Sequence, residues 1–245
     1  MFRSPLIFDR WPAAVYAIGD IHGCLPQLLE LERRIAADAA GIEGEKWMVT
    51  LGDHIDRGAH SAQVIEHLLQ PPPAGFRRFS LIGNHEQMML EFLGNPAANA
   101  YWLEQGGVET LESYGIAGAY RYLDVPIDSR FIARLAEHIP ERHVRFIRDL
   151  PTGLSLPGWF FVHAGIRPGV ALSAQLEDDL VWIREPFLGT RLPDGPRVVH
   201  GHTPGPEPIV TAHRIGIDTQ CFLSGRLTAV RVTPDGGIRF LSAAA

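Results

Sequence analysis

Ala14-Val15-Tyr16-Ala17-Ile18-Gly19-Asp20-Ile21-His22-Gly23 is an apolar run that stops on a glycine and is followed at once by a carboxylate and an imidazole. The same order returns in Lys46-Trp47-Met48-Val49-Thr50-Leu51-Gly52-Asp53-His54-Ile55-Asp56-Arg57-Gly58, and again where Arg78 to Ile82 leads into Gly83-Asn84-His85-Glu86. Short apolar runs closed by glycine read as buried strands. Between the first two, Leu28, Leu29, Leu31, Ile35 and Ala36 recur at helical spacing from Pro26 to Ala39, with Pro26 suited to a first turn. Between the second and third, Ser61 is placed to cap a helix carrying Val64, Ile65, Leu68 and Leu69, which Pro71-Pro72-Pro73 ends. A β-α-β-α-β order implies parallel strands joined by right-handed crossovers. Ligands collect beyond the C-terminal edge of such a sheet, so Asp20, Asp53 and Asn84 are expected to converge there.

From about residue 87 to 150 the pattern becomes helical with Gly and Pro breaks, which reads as a cap-like insertion within a single domain spanning 1–245. Its aromatics, among them Tyr101 and Trp102, are expected to pack under the cap. Short strands follow: Trp159 to Val162, Arg197 to Val199, Arg214 to Ile217, Arg226 to Val232 and Ile238 to Leu241. They suit a second, mixed sheet laid on the first.

Composition narrows the class of protein. The formal charge is −6 with no long basic run, which argues against a nucleic-acid partner. Cys24 and Cys221 are the only cysteines of the 245 residues, too few for a disulfide framework, and a reducing, cytoplasmic setting is expected. The apolar stretch Pro5 to Phe8 is too short for a signal core, and no run reaches the length of a membrane span. Oligomeric state is left open.

The chemistry lies in the loops after the strands. Asp20 and His22 are two apart, a spacing that on extended backbone aims both side chains the same way. Asp53 adds a second carboxylate, and anionic oxygens crowded at one edge repel unless a cation holds them. Asn84, His163 in His163-Ala164-Gly165, and the pair in His200-Gly201-His202-Thr203 extend the donor set. Oxygen and imidazole ligands together suit two divalent ions such as Mn, with Fe or Zn also fitting. Two ions sharing an aspartate can activate water against a phosphoryl group. Spacing alone does not choose between His200 and His202.

These motifs resemble those of the PPP family of metallophosphatases, the calcineurin-like metallophosphoesterases, and are most similar to the bacterial and phage lambda-type Ser/Thr protein phosphatases. The resemblance spans nearly the whole chain. It implies a four-layer α/β/β/α sandwich, with one metal on Asp20, His22 and Asp53 and the other on Asp53, Asn84, His163 and His202. The nucleophile it implies is a water bridging the ions. His85 is the implied general acid, oriented by Asp56, and Arg57 and Arg184 match phosphate-contacting positions. Two departures stand out: Ile82 replaces an arginine usual before Gly-Asn-His-Glu, and Gln220 stands where glycine is usual.

The substrate implied first is a phosphorylated protein or a small phosphoester. Symmetrical diadenosine tetraphosphate hydrolases share the fold and the metal set, and they too carry an apolar residue before Gly-Asn-His. Asp56 and Thr203 place the expectation on the protein-phosphatase side. A non-enzymatic metal-binding scaffold does not account for the intact pair Asp56 and His85. A cysteine phosphatase is excluded, because Cys221 and Arg226 stand too close for its phosphate-cradling loop.

Overall fold

The computed structural model describes residues 3–125, 127–192 and 195–244. Strands β2 (Ala14–Ile18), β3 (Lys46–Thr50) and β4 (Phe76–Ser80) pair in parallel, as the alternation of strand and helix requires. The crossovers are α1 (Leu25–Asp38) and α2 (Ser61–Leu69). Late in the chain, β10 (Arg226–Val232) joins antiparallel to β2, and β11 (Ile238–Ala244) antiparallel to β10. The sheet order is therefore β11-β10-β2-β3-β4.

A second, six-stranded sheet begins with β1 (Leu6–Ile7), β5 (Gly153–Leu156) and β6 (Trp159–Val162). It continues through β7 (Arg197–His200) and β9 (Arg214–Gly216) to the edge strand β8 (Ile209–Val210). Within it β6, β7 and β9 run parallel, whereas β5 and β8 run antiparallel to their neighbours β6 and β9. Both sheets are mixed.

Period-two alternation makes four layers. Val15 and Ala17 of β2 face inward with Val49, Phe161, Val199, Ile215 and Val230, filling the space between the sheets. Tyr16 and Ile18 face the other way, onto Leu28, Leu31 and Ile35 of α1 and Val64 and Leu68 of α2. On the far side, Phe160, Val162 and Val198 turn outward onto Leu180, Ile183 and Phe187, where the short helix α7 (Glu177–Trp182) lies. The result is an α/β/β/α sandwich.

The helical region between β4 and β5 holds α3 (Asn84–Gly94), α4 (Val108–Ser113), α5 (Ser129–His138) and α6 (Glu141–Asp149), with a π-helical turn at Leu103–Gly107. It has its own core of Phe92, Trp102, Leu111, Phe131 and Ile147, into which Ile55 and Ile65 also pack. That pairing locks the insertion against the loop after β3. Gly106 completes the contact: with φ of 105° its carbonyl accepts from Arg57 N at 3.2 Å, and a β-carbon there would fall 2.6 Å from the same nitrogen.

Four expectations need correction. The strands at Arg226–Val232 and Ile238–Ala244, expected in the second sheet, extend the first instead, because β10 pairs antiparallel with β2. Ser61 is the first residue of α2 rather than its cap, and its Oγ accepts the backbone N–H of Asp56 at 3.0 Å. The third strand ends at Ser80, so Leu81 and Ile82 are already loop. His22 is not on extended backbone: its φ is 45°, and it reaches the site through a left-handed turn.

Candidate active site

Asp20, Asp53 and Asn84 do meet beyond the parallel strand ends, in a pocket of about 180 Å³ that His22, His85, His202, Arg57 and Arg184 also line. Asp53 lies at the centre. One carboxylate oxygen, Oδ2, is 3.6 Å from His22 Nε2, and the other, Oδ1, is 3.4 Å from His163 Nε2. Asn84 Oδ1 faces His163 Nε2 at 2.8 Å and His202 Nδ1 at 3.0 Å. Two ligand groups result, His22–Asp53–His85 and Asp53–His163–His202, each with its atoms within 4.8 Å of one another and both containing Asp53. Asp20 stands beside them, its Oδ2 accepting the backbone N–H of His202 at 3.0 Å. His200 turns away, toward the Gly201 carbonyl, Arg214 and the Phe187 ring.

The imidazoles are held in the form that ligates a cation. His22 Nδ1 faces the Ile55 carbonyl at 2.9 Å and His163 Nδ1 the Leu51 carbonyl at 2.9 Å. A carbonyl only accepts, so each Nδ1 carries the proton and each Nε2 offers a lone pair to the pocket. Burial first, then a neighbouring histidine, lowers both rings well below their ordinary pKa. Burial and then Arg184 bring His202 to about 3. His202 Nε2 is buried without a hydrogen-bond partner. Burial, then Asp218 and Asp53, push Asp20 well up, and burial raises Asp53 to about 7. A neutral His163 has one N–H for two facing oxygens, the Leu51 carbonyl and Asn84 Oδ1, so acceptors outnumber protons around Asp53. Divalent cations fit that donor set.

His85 is placed differently. Its Nδ1 is 2.7 Å from Asp56 Oδ2, leaving Nε2 free. Burial opposes charge on the ring, but Asp53 and Asp56 outweigh it and raise the pKa to about 9. Asp56 is fully buried, accepting from Trp102 Nε1 at 2.8 Å and from Thr110 Oγ1 at 2.6 Å. Packing under the cap is the expectation for the insertion's aromatics, and Thr110 carries none; nothing in the spacing of Trp102 and Thr110 marks them as partners of Asp56.

Glu86, quoted in the motif but given no role, clamps the loop that carries Asp53. It is wholly buried and accepts from the N–H groups of Gly83 at 2.8 Å, Asp53 at 2.9 Å and His54 at 2.8 Å. Burial works against its charge, yet His54 and these donors hold the carboxyl well below its usual range. Asp218 is the other omission. It lines the pocket, accepts the Gln220 N–H at 2.8 Å, and is raised by burial.

Among the described residues, non-glycine residues with positive φ are His22, Asp53, Asp56, Arg57, His202 and Gln220, and every one belongs to this region. Left-handed backbone costs a side-chain-bearing residue energy, and such strain gathers where geometry matters to function. Gln220, with φ of 55°, also accounts for the glycine usual at its position. Arg57 lies over the Phe222 ring at 4.7 Å, and Arg184 donates to the His202 carbonyl at 3.2 Å. Ile82 makes no part of the pocket; it is buried against Leu150 and Val181.

The calcineurin-like phosphoesterase family profile matches residues 13–223. The chain belongs to that family. It is 28% identical over 233 residues to the asymmetrical bis(5'-nucleosyl)-tetraphosphatase PrpE of Bacillus thuringiensis, covering 87% of this chain and 88% of that one. The Bacillus mycoides protein of the same name is 27% identical over the same coverage. Among solved structures, a candidate diadenosine tetraphosphatase superposes with a TM-score of 0.68 at 22% identity, covering 99% of both chains. A Saccharomyces cerevisiae protein serine/threonine phosphatase gives 0.57 at 14% identity, covering 99% of this chain and 84% of that one. The family match makes the chain a metallophosphoesterase hydrolase, and the structural likenesses establish the fold. No helix among the described residues is long and apolar enough to cross a membrane.

Proposed function

We propose that this protein is a two-metal hydrolase of dinucleoside tetraphosphates that cleaves them asymmetrically. Asp20, His22 and Asp53 would hold one divalent cation, and Asp53, Asn84, His163 and His202 the other, with Mn, Fe and Zn all compatible with the donors. Cations held there would activate water and offset phosphoryl charge. Arg57 and Arg184, which both line the pocket, neutralise the remaining phosphoryl oxygens. Asp56 holds His85 by Nδ1, so that Nε2 can pass its proton to the leaving oxygen.

The choice of substrate reverses the order expected from the motifs. It is carried by the match, across 87% of this chain, to proteins named bis(5'-nucleosyl)-tetraphosphatases. Their printed name also favours the asymmetrical split over the symmetrical one. The test is a side-by-side turnover of diadenosine tetraphosphate and a phosphoserine peptide with chromatographic separation of products. ATP with AMP as the preferred outcome supports the proposal, and two ADP would point to symmetrical cleavage.

The Asp56–His85 bond favours a second reading, hydrolysis of phosphoserine or phosphothreonine. An alkoxide leaves poorly without a proton, whereas a nucleoside polyphosphate leaves more readily. Higher kcat/KM on the phosphopeptide would put this reading first.

A further inference from the structure

At about 180 Å³ the pocket around Asp53 is smaller than the roughly 300–1,000 Å³ of sites that enclose a whole organic ligand. It has room for a phosphoryl group and its cations, and a nucleoside must lie outside it. Beside it runs an open groove of about 580 Å³ between the π-helical turn Leu103–Gly107 and the short 3-10 turn Ala119–Leu123. Arg57, Gln105 and Phe222 line both spaces, so the groove opens directly onto the site.

We infer that this groove binds the nucleoside joined to the phosphate under attack, an inference that rests on the dinucleotide reading above. Its lining is chemically mixed. Arg57 stands at the junction and, among the described residues, is the one cation lining the groove. Glu104 and Glu109, both exposed, line the groove but not the pocket. Two carboxylates repel a polyphosphate tail but accept hydrogen bonds from ribose hydroxyls and from a base amino group. Tyr120 and Leu123 line the same stretch with 55% and 43% of their surface exposed, offering an aromatic and an aliphatic face to a base. A cation shared with the phosphoryl pocket, two carboxylates and exposed apolar faces thus supply partners for phosphate, ribose and base.

This placement fixes which bond breaks. A nucleoside in the groove leaves only its own α-phosphate against Arg57 and the Asp53 centre. Water then adds its oxygen to the α-phosphorus, and the bond from that phosphorus to the bridging oxygen breaks. The bridging oxygen leaves with the electron pair and takes a proton, so diadenosine tetraphosphate yields AMP and ATP.

Two measurements test the groove. In ¹⁸O-water the heavy oxygen is expected in AMP; its appearance in ATP, or formation of two ADP, overturns the placement. Tyr120→Ala should raise KM for diadenosine tetraphosphate about tenfold with a smaller change in kcat, as loss of one stacking partner implies, and Tyr120→Phe should restore it. Because Tyr120 is more than half exposed, the variant is expected to keep its melting temperature. An unchanged KM, or an equal fall on p-nitrophenyl phosphate, overturns the inference. Failure of the substrate reading looks different: the wild-type enzyme turns over phosphopeptide but not dinucleotide. Saturation-transfer NMR with AMP then decides. Signals present in wild type and lost in Tyr120→Ala retain the groove as a nucleoside site. Absent signals, or a basic phosphopeptide whose KM rises on the same substitution, assign the groove to peptide and overturn it.

Discussion

Trp102 donates its indole N–H to Asp56 Oδ2 at 2.8 Å, onto the same oxygen that His85 Nδ1 approaches at 2.7 Å. The helical insertion is thereby bonded directly to the residue that holds the proposed acid, as well as covering it. Thr110, from the same insertion, bonds the other carboxylate oxygen. A buried carboxylate with every oxygen engaged cannot swing, and the ring it holds cannot turn.

Removing that arrangement should be visible in a pH profile. Asp56 raises the His85 pKa, so the protonated acid persists to higher pH in its presence and is lost as pH rises through that value. Cations beside Asp53 would lower it, which is why both enzymes must be compared metal-loaded. Asp56→Asn is expected to shift the basic limb of kcat to lower pH. Trp102→Phe should retain the limb more nearly while losing roughly 1.5–3 kcal/mol of stability, the worth of a hydrogen bond to a charged group. Rate–pH profiles with urea denaturation check both, and an unmoved limb in Asp56→Asn would detach Asp56 from the acid.

Ile82→Arg tests the apparent missing arginine. Ile82 is wholly buried beside Leu150 and Val181, so the guanidinium would be desolvated without a partner. The expected outcome is a loss of more than about 3 kcal/mol, or no folded protein, with no gain in kcat/KM. Ile82→Val should lose only about 0.5–1.5 kcal/mol. A stable arginine variant with faster phosphoester turnover would show that the side chain does reach the pocket.

The ligand groups predict unequal metal losses. Chelation should abolish turnover and Mn²⁺ should restore it. Asp53→Asn removes the carboxylate common to both groups and should reduce bound metal by more than one ion per chain, whereas Asp20→Asn should spare the second ion. Elemental analysis of each purified variant is the readout. Equal metal content in the two would remove Asp53 from its shared position.

Much of this was legible before any coordinates, and the reason is local. β2, β3 and their glycine stops are written in runs of adjacent residues, and parallel pairing sends Asp20, Asp53 and Asn84 to one edge whatever the rest of the chain does. Turns were harder. His22 reaches Asp53 through backbone of φ 45°, a conformation that residue type does not announce, and extended geometry gave the right neighbours for the wrong reason. Contacts distant in sequence were not legible: Trp102 on Asp56, and Glu86 on four backbone N–H groups of two loops, exist only once the chain is folded. β1 and β8, two residues each, are too short to carry a pattern.

The last prediction concerns the leaving group. If His85 supplies its proton, then His85→Asn should reduce kcat most where the leaving oxygen is most basic. General acid catalysis contributes roughly 10²–10⁴-fold, and that full loss is expected on an alkyl phosphate or phosphoserine peptide. On p-nitrophenyl phosphate the deficit should shrink, because nitrophenolate departs without help. Diadenosine tetraphosphate should lie near the nitrophenyl ester, since a polyphosphate is also a good leaving group. Asn keeps a polar side chain in the buried space beside Asp56 and Trp102, so the metal content should hold and the fold with it. The three rate ratios, measured on one metal-loaded preparation, therefore separate acid catalysis from a structural effect. A uniform loss on all three substrates would mean that His85 orders the site through its contact with Asp56 without moving a proton.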